Sequence, residues 1–293
     1  MKKKNEITAK TKILAVIGDP IEHSMSPTMH NAALMDLGLD YVYEAFHVLP
    51  ENLEDAVKGF KALNIRGINV TIPHKVEIIP YLDEIEETAS QLGAINTIKN
   101  ENGKLKAKNT DGEGSLKSLK DKGFDPRDKK VVMIGAGGAA RAVSFYLLRE
   151  IKSLSIINRE EDFDIATNLK QRLSDSYEKA IETIKLENED KVKKAIQNAD
   201  LLVNVTPVGM HPKVDATPVK KEWLHPDLFV FDVIYNPIET KLLKEAKEIG
   251  CETQSGIEMF INQGWLAFKW WTGKEPDKEI MRKVIIEQLG IEE

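Results

Sequence analysis

Two groups of residues in this 293-residue chain have the types and spacing to do chemistry. The first is the turn Gly135-Ala136-Gly137-Gly138-Ala139-Ala140, of the form G-x-G-x-x-A. It follows the apolar run Val131-Val-Met-Ile134 and opens good helix formers over 139–148. Strand, tight turn and helix in that order are what a dinucleotide pyrophosphate requires. Gly135 permits the turn, Gly137 lets the backbone approach the phosphates, and Ala140 allows close helix–strand packing. The helix start through Gly138 and Ala139 then offers N–H groups and a partial positive charge. The plain alternative is a glycine-rich turn without a ligand.

The next strand-like run, 154–158, ends in Asn158-Arg159-Glu160-Glu161-Asp162, where the adenosine ribose falls in such a fold. The Arg159 guanidinium can stack on adenine or bind a 2′-phosphate. A carboxylate instead accepts hydrogen bonds from free ribose hydroxyls and repels that phosphate. Both kinds of group are present, and a solvated helix start with acids favoured by the dipole is the simpler account.

The second group is polar and lies in the first third of the chain. Ser24 and Ser26 follow the first strand-like run, Asn69 and Thr71 lie on another, and Lys75 comes just beyond Pro73. Asn96 sits in Gly93-Ala-Ile-Asn-Thr97 and Asp111 in Asn109-Thr-Asp-Gly112. Singly, each has an ordinary role: helix cap for the serines and Asp111, turn residue for Asn96, solvated surface for the lysine. Together they suit a polyhydroxylated carboxylate, which needs hydroxyl and amide partners. Oxidising its alcohol needs a group to take the proton as hydride leaves, and a lysine oriented by an aspartate can serve.

The elements that must position these groups alternate between short β-rich runs and longer helical patterns, the mark of α/β units around a mostly parallel sheet. Strands are predicted over 13–18, 41–48, 67–72, 131–134, 154–158, 201–205 and 229–233. Helices are predicted over 26–37, 51–63, 84–92, 112–122 and 139–148. The 51–63 helix carries Leu53, Val57, Phe60 and Leu63 on its apolar stripe. A hairpin of 95–98 and 104–108 turns at Asn102-Gly103. The charged stretch 174–190 gives no secure strand, and after Gly256 the pattern is helical. The expected division is a first domain over 1–110 and a cofactor domain over 111–255. The helices of 256–293 are expected to return to the first domain.

Composition limits the partners. With 42% hydrophobic and 30% charged residues and a net charge of −6, the chain is an ordinary globular protein with no general affinity for nucleic acid. Its one cysteine, Cys251, excludes an intrachain disulfide framework, fits a reducing cytoplasmic setting and reads as a small buried hydrophobe. The six histidines form no H-x-x-x-H or Cys/His cluster, so no metal site is expected. The basic start, 1–12, reads as a frayed tail, and no segment approaches the ~20 apolar residues of a membrane span. Trp270 and Trp271 read as packing residues.

Read in order, the motifs resemble the shikimate dehydrogenase family. They are Ile17-Gly-Asp-Pro-Ile-Glu-His-Ser-Met-Ser-Pro-Thr-Met-His-Asn-Ala-Ala33, Asn69-Val-Thr-Ile-Pro-His-Lys75, Gly93-Ala-Ile-Asn-Thr97 and Asn109-Thr-Asp-Gly112. Gly135-Ala-Gly-Gly-Ala-Ala140, Asn204-Val-Thr-Pro-Val-Gly-Met210 and Asp232-Val-Ile-Tyr-Asn-Pro237 continue the series. Gly256-Ile-Glu-Met-Phe-Ile-Asn-Gln-Gly264 and Trp271-Thr-Gly273 close it. The resemblance implies a substrate-binding domain and a Rossmann-type domain with a cleft between them, acting on shikimate and 3-dehydroshikimate with NADP or NAD.

By the same resemblance Lys75 and Asp111 form the catalytic pair. Ser24, Ser26, Thr71, Asn96, Asp111 and Gln263 hold the substrate with Tyr235 nearby. Gly135, Ala136, Gly137, Gly138 and Ala139 hold the pyrophosphate, Asn158 and Arg159 meet the adenosine, and Thr206, Gly256 and Met259 lie toward the nicotinamide. Where NADP-using members carry Asn-Arg-Thr, this chain has Asn158-Arg159-Glu160 and then further acids. That stretch is closer to the NAD-accepting quinate/shikimate dehydrogenases, with Glu161 as ribose ligand, whereas Asn69-Val-Thr71 and His74-Lys75 resemble the shikimate-specific type. A quinate-using enzyme is therefore the first alternative and a non-catalytic nucleotide sensor a distant second. The partners expected are small molecules, with the protein a monomer or homodimer.

Overall fold

The computed structural model describes residues 6–290. The first five residues of the expected frayed tail and the last three of the C-terminal segment lie outside that range. The chain divides into two compact units: residues up to Thr110 together with Ile261 onward, and Asp111–Phe260.

The first unit holds β1 (Lys12–Gly18), α1 (Ser26–Asp36), β2 (Tyr41–His47), α2 (Leu53–Ala62), β3 (Gly67–Val70) and the one-turn α3 (His74–Glu77). It continues through β4 (Glu84–Ile85), α4 (Glu87–Leu92), β5 (Thr97–Glu101) and β6 (Lys104–Lys108). The six strands are ordered β2-β1-β3-β5-β6-β4. β1, β2 and β3 run parallel, whereas β5 pairs antiparallel with both β3 and β6. The central β1 buries residues 14 to 18 on both faces, as its continuous apolar run demands. Ile17, Phe60, Ile68, Val70, Ile98 and Leu105 belong to the core beneath this sheet.

The chain enters the second unit through α5 (Thr110–Asp121) and runs β7 (Lys130–Ile134), α6 (Gly138–Leu147), β8 (Ser153–Asn158), α7 (Phe163–Ser176) and β9 (Ala180–Lys185). Then come α8 (Glu189–Gln197), β10 (Leu201–Asn204), β11 (Phe229–Asp232), α9 (Lys241–Ile249) and β12 (Glu252–Gln254). All six strands are parallel, in the order β12-β11-β10-β7-β8-β9. This is the doubly wound order, whose direction reverses between β7 and β10, where such sheets bind ligands at their carboxyl ends. α10 (Ile257–Thr272) leads back to the first unit, and α11 (Lys278–Gln288) follows. There Trp271 covers Gly67, where a Cβ would lie 2.6 Å from the indole, and its Nε1–H donates to the Ile98 carbonyl at 2.8 Å.

Several element expectations are corrected. The 84–92 segment is not one helix: Glu84–Ile85 pairs with β6, and the Asp83 carboxylate anchors the approach by accepting the Leu105 N–H at 2.7 Å. The hairpin's first strand is Thr97–Glu101, because the left-handed pair Asn102 and Gly103 forms a two-residue turn that sets Glu101 opposite Lys104. The strand predicted over 67–72 stops at Val70, where the Thr71 carbonyl turns to accept the His74 N–H. The 51–63 helix begins with a 3-10 turn over Pro50–Asn52, and Leu63 is 73% exposed beyond its end, off the buried stripe. The charged stretch contains β9, an edge strand with little to bury.

Candidate active site

In the first unit a network of buried amides fixes the polar group. Asn69 points inward from β3: its Oδ1 accepts the Tyr43 hydroxyl at 2.7 Å, and its Nδ2 donates to the Asn96 carbonyl at 3.1 Å and Thr97 Oγ1 at 3.2 Å. Burial holds the proton of the Tyr43 hydroxyl well above its ordinary range. Asn96 Oδ1 accepts from the Thr110 N–H at 2.7 Å and from Thr97 Oγ1 at 2.9 Å, so the turn residue expected at 96 is a buried hub. Two backbone bonds tie the Lys75 turn to this hub, Val70 N–H to Asn96 O at 2.9 Å and Ile95 N–H to Lys75 O at 2.7 Å. Half-buried Lys75 lies on α3, next to His74, whose ring is buried and bonded to the Val48 carbonyl at 2.7 Å.

The serines are not the caps that their place suggested. Met25 is the N-cap of α1 without a side-chain bond, Ser26 is the first helical residue, and Ser24 Oγ accepts the Ser26 N–H at 3.3 Å. Asp111 likewise lies inside the first turn of α5 rather than at its cap, and is half buried. Thr71 is half buried just after β3, and Gln263 is buried on α10. The structure therefore joins Asn96 to the Tyr43–Asn69 pair and ties the Lys75 backbone to the neighbouring Ile95, with Thr71 adjoining β3 in sequence and Ser24 bonded to the Ser26 N–H. Tyr43, Asn69 and Thr110 are the organising residues that the listing of single motifs undervalued. Asn69 alone carried a signal, a polar residue inside the apolar run Gly67–Val70.

In the second unit the glycine turn has the shape a pyrophosphate needs. Gly135 has φ +103°, and a Cβ there would come within 2.8 Å of Thr206 Cγ2. Gly137 caps α6 in extended backbone, and a Cβ on it or on Gly138 would meet nothing within 4 Å. The cradle at Gly137, Gly138 and Ala139 is exposed, whereas Gly135 and Ala136 are buried beneath it and Ala140 is buried against the sheet. Bare N–H groups at a helix start with open space before them fit a dinucleotide.

Thr206 is set by a buried polar chain. Asn204 Oδ1 accepts the Thr206 hydroxyl at 2.7 Å and N–H at 3.0 Å, and its Nδ2 donates to Asp232 at 3.1 Å. Asp232 also accepts from Thr240 Oγ1 at 2.7 Å and from the Ile234 N–H at 3.1 Å. Burial still outweighs these donors and pushes its carboxyl up to about 6. Gly256 lies against the Val233 carbonyl so closely that no side chain fits, and half-buried Met259 follows on α10. The ring of Tyr235, whose hydroxyl proton burial retains, packs 5.3 Å from that of Phe260. At the end of β8, Asn158 Nδ2 donates to the Asp162 carbonyl at 2.7 Å, and Arg159 pairs with Glu161 at 2.5 Å and with Asp162. The sequence left Arg159 and the acids as competing ligands; the fold pairs them with one another.

A six-stranded parallel, doubly wound sheet with this cradle defines a dinucleotide-binding oxidoreductase fold, joined to a second α/β unit. Models of the shikimate dehydrogenase substrate binding domain and the shikimate 5′-dehydrogenase C-terminal domain match residues 16–98 and 256–286. The chain is 47% identical over 286 residues to the shikimate dehydrogenase (NADP(+)) of Methanocaldococcus jannaschii, covering 97% of this chain and 99% of that one. A crystal structure of a shikimate dehydrogenase with NADP+ is 46% identical with a TM-score of 0.90, over 97% of this chain and 98% of the other. The shikimate 5-dehydrogenase of Listeria monocytogenes, solved with shikimate and NAD, is 38% identical with a TM-score of 0.92, over 97% and 100%. The chain belongs to the shikimate dehydrogenase family.

Proposed function

We propose that the chain catalyses the reversible interconversion of shikimate and 3-dehydroshikimate, a step toward the aromatic amino acids, with Lys75 and Asp111 as its catalytic pair. The observation that carries this reading is the open backbone cradle at Gly137 and Gly138 in a chain that also holds the Asn69–Lys75–Asn96 network. The 1–110 segment with the C-terminal helices serves as the substrate unit, and the parallel-sheet unit holds NADP or NAD.

The nicotinamide, when bound, supplies the hydride acceptor at C4. Lys75 Nζ exchanges the proton of the substrate hydroxyl, and Asp111 orients the amine and relays that proton. Ser24, Ser26, Thr71, Asn96 and Gln263 bind the carboxylate and ring hydroxyls, with Tyr235 beside them. Gly135 through Ala139 hold the pyrophosphate, and Asn158, Arg159 and Glu161 the adenosine. Thr206, Gly256 and Met259 bound the nicotinamide side. Such hydrogen-bonding sites reject analogues that lack the matching hydroxyl. The single, buried cysteine suits a reducing cytoplasm.

Quinate is a second substrate to consider, because the acids at 160–162 favour the NAD-linked branch of the family. Steady-state kinetics with shikimate and quinate against NAD and NADP test both readings. Shikimate turnover with either cofactor is the expected result. No oxidation of shikimate with either would overturn the proposal, and quinate turnover equal to that of shikimate would assign the broader activity.

A further inference from the structure

Two donors at the end of β8, the Glu160 N–H and the Arg159 guanidinium, are already satisfied by carboxylates of the chain itself. The Glu160 N–H donates to both carboxylate oxygens of Glu187, at 3.0 and 3.1 Å. The Glu160 carboxylate pairs with Lys185 Nζ at 2.5 Å, and the Arg159 guanidinium pairs with Glu161 and Asp162. Pairing of β8 with β9 continues one bond beyond the strands, Leu186 N–H to Asn158 O at 2.8 Å, and this brings Glu187 beside the Glu160 backbone. The cluster sums two cations, Arg159 and Lys185, against four carboxylates, Glu160, Glu161, Asp162 and Glu187, a net charge of −2.

In a doubly wound dinucleotide fold the residues ending the second strand face the adenosine 2′ position. We propose that Glu187 is a specificity-determining residue for the cofactor, its carboxylate occupying the backbone N–H position that a ribose 2′-phosphate would need and so biasing the site toward NAD. This rests on the dinucleotide-binding reading above. A 2′-phosphate must displace Glu187 from the Glu160 N–H and compete for Lys185 and Arg159 inside a net negative cluster. A free 2′-hydroxyl makes no such demand and can donate to one of the carboxylates. The residue lies 29 positions after Asn158, outside the stretch where cofactor choice is ordinarily sought.

The test is calorimetric binding of adenosine 2′,5′-bisphosphate and of AMP at fixed ionic strength, in wild type, Glu187→Ala and Glu187→Gln. The wild type is expected to bind AMP at least as tightly as the bisphosphate. Glu187→Ala should raise the bisphosphate-to-AMP affinity ratio about tenfold, and Glu187→Gln, which keeps the acceptor but not the charge, about threefold. Loss of a merely structural contact would weaken both ligands alike and leave the ratio fixed. A ratio unchanged within about twofold in both variants, or a wild type preferring the bisphosphate about tenfold, would overturn the assignment. If the alanine variant fails to fold, the glutamine variant decides alone. Shikimate oxidation by the same preparations separates the two ideas: activity lost while the ratio responds removes the proposed reaction and keeps Glu187. Binding of neither ligand removes both.

Discussion

The two units present opposite kinds of surface. Around Asn69 and Asn96 the first unit has side chains fixed by partners far away in sequence, Tyr43, Thr97 and Thr110. At Gly137 and Gly138 the second unit has no side chain, and open space where a Cβ would be. A polar ring with several hydroxyls needs preoriented amides and hydroxyls. A pyrophosphate needs N–H groups and close approach. The contrast extends to the buried ionisable groups. His30, in the first unit, is fully buried and stacked at 4.3 Å on Tyr43 with neither ring nitrogen bonded, and burial pushes it down to about 3. Asp232, in the second, is pushed up to about 6.

The largest expected effect sharpens that contrast through pH. His30 is neutral in the fold, so the unfolded chain binds the extra proton below about 6.5, and stability is lost as pH falls from there toward 3. At about 1.4 kcal/mol per unit, the full effect is on the order of 5 kcal/mol. Asp232 acts in the reverse sense. The fold holds its proton up to about pH 6 whereas the unfolded chain releases it near 3.8, so its contribution falls as pH rises through that window, by on the order of 3 kcal/mol. Melting temperatures of His30→Phe and Asp232→Asn from pH 3.5 to 7 check this. The phenylalanine should flatten the acid-side loss and the asparagine the opposing trend. Slopes unchanged in both variants would break the comparison.

Next in size is chemistry. Lys75→Ala should lower kcat for shikimate oxidation by about 100-fold or more while KM moves much less, the pattern of lost transition-state stabilisation. A variant with near wild-type kcat would remove Lys75 from the proposed chemical step. Asn69→Ala should cost about 1–3 kcal/mol of stability, since it leaves the Tyr43 hydroxyl without its acceptor in a buried site. Chemical denaturation measures this, and an unchanged midpoint would show that the network does not stiffen the unit.

Much of this was legible in the residues. The glycine turn declared itself because a strand, a positive-φ glycine and a small-residue helix start are all local requirements. The α/β character and the mostly parallel sheet followed from alternating elements. What was not legible depends on partners distant in sequence. β9 could not be placed within the charged stretch 174–190 because an edge strand has little to bury. The strand at Glu84–Ile85 exists through its pairing with β6. Nothing local in Asn96 announces that it receives the Thr110 N–H. The acids at 160–162 suggested cofactor ligands, but their present partners are Arg159 and Lys185, and Lys185 comes from the strand that was not assigned.

The smallest expected shifts give the most direct test of the central claim, that one unit selects the substrate and the other the cofactor. The measurement is a paired one, KM for shikimate and Kd for the dinucleotide, in Gln263→Ala and Gly137→Val. Gln263→Ala should raise the shikimate KM about tenfold with the dinucleotide Kd within about twofold of wild type. Gly137→Val should do the reverse, because its side chain fills the space before the α6 N–H groups. Crossed results, with cofactor affinity lost in Gln263→Ala and substrate KM raised in Gly137→Val, would contradict the division.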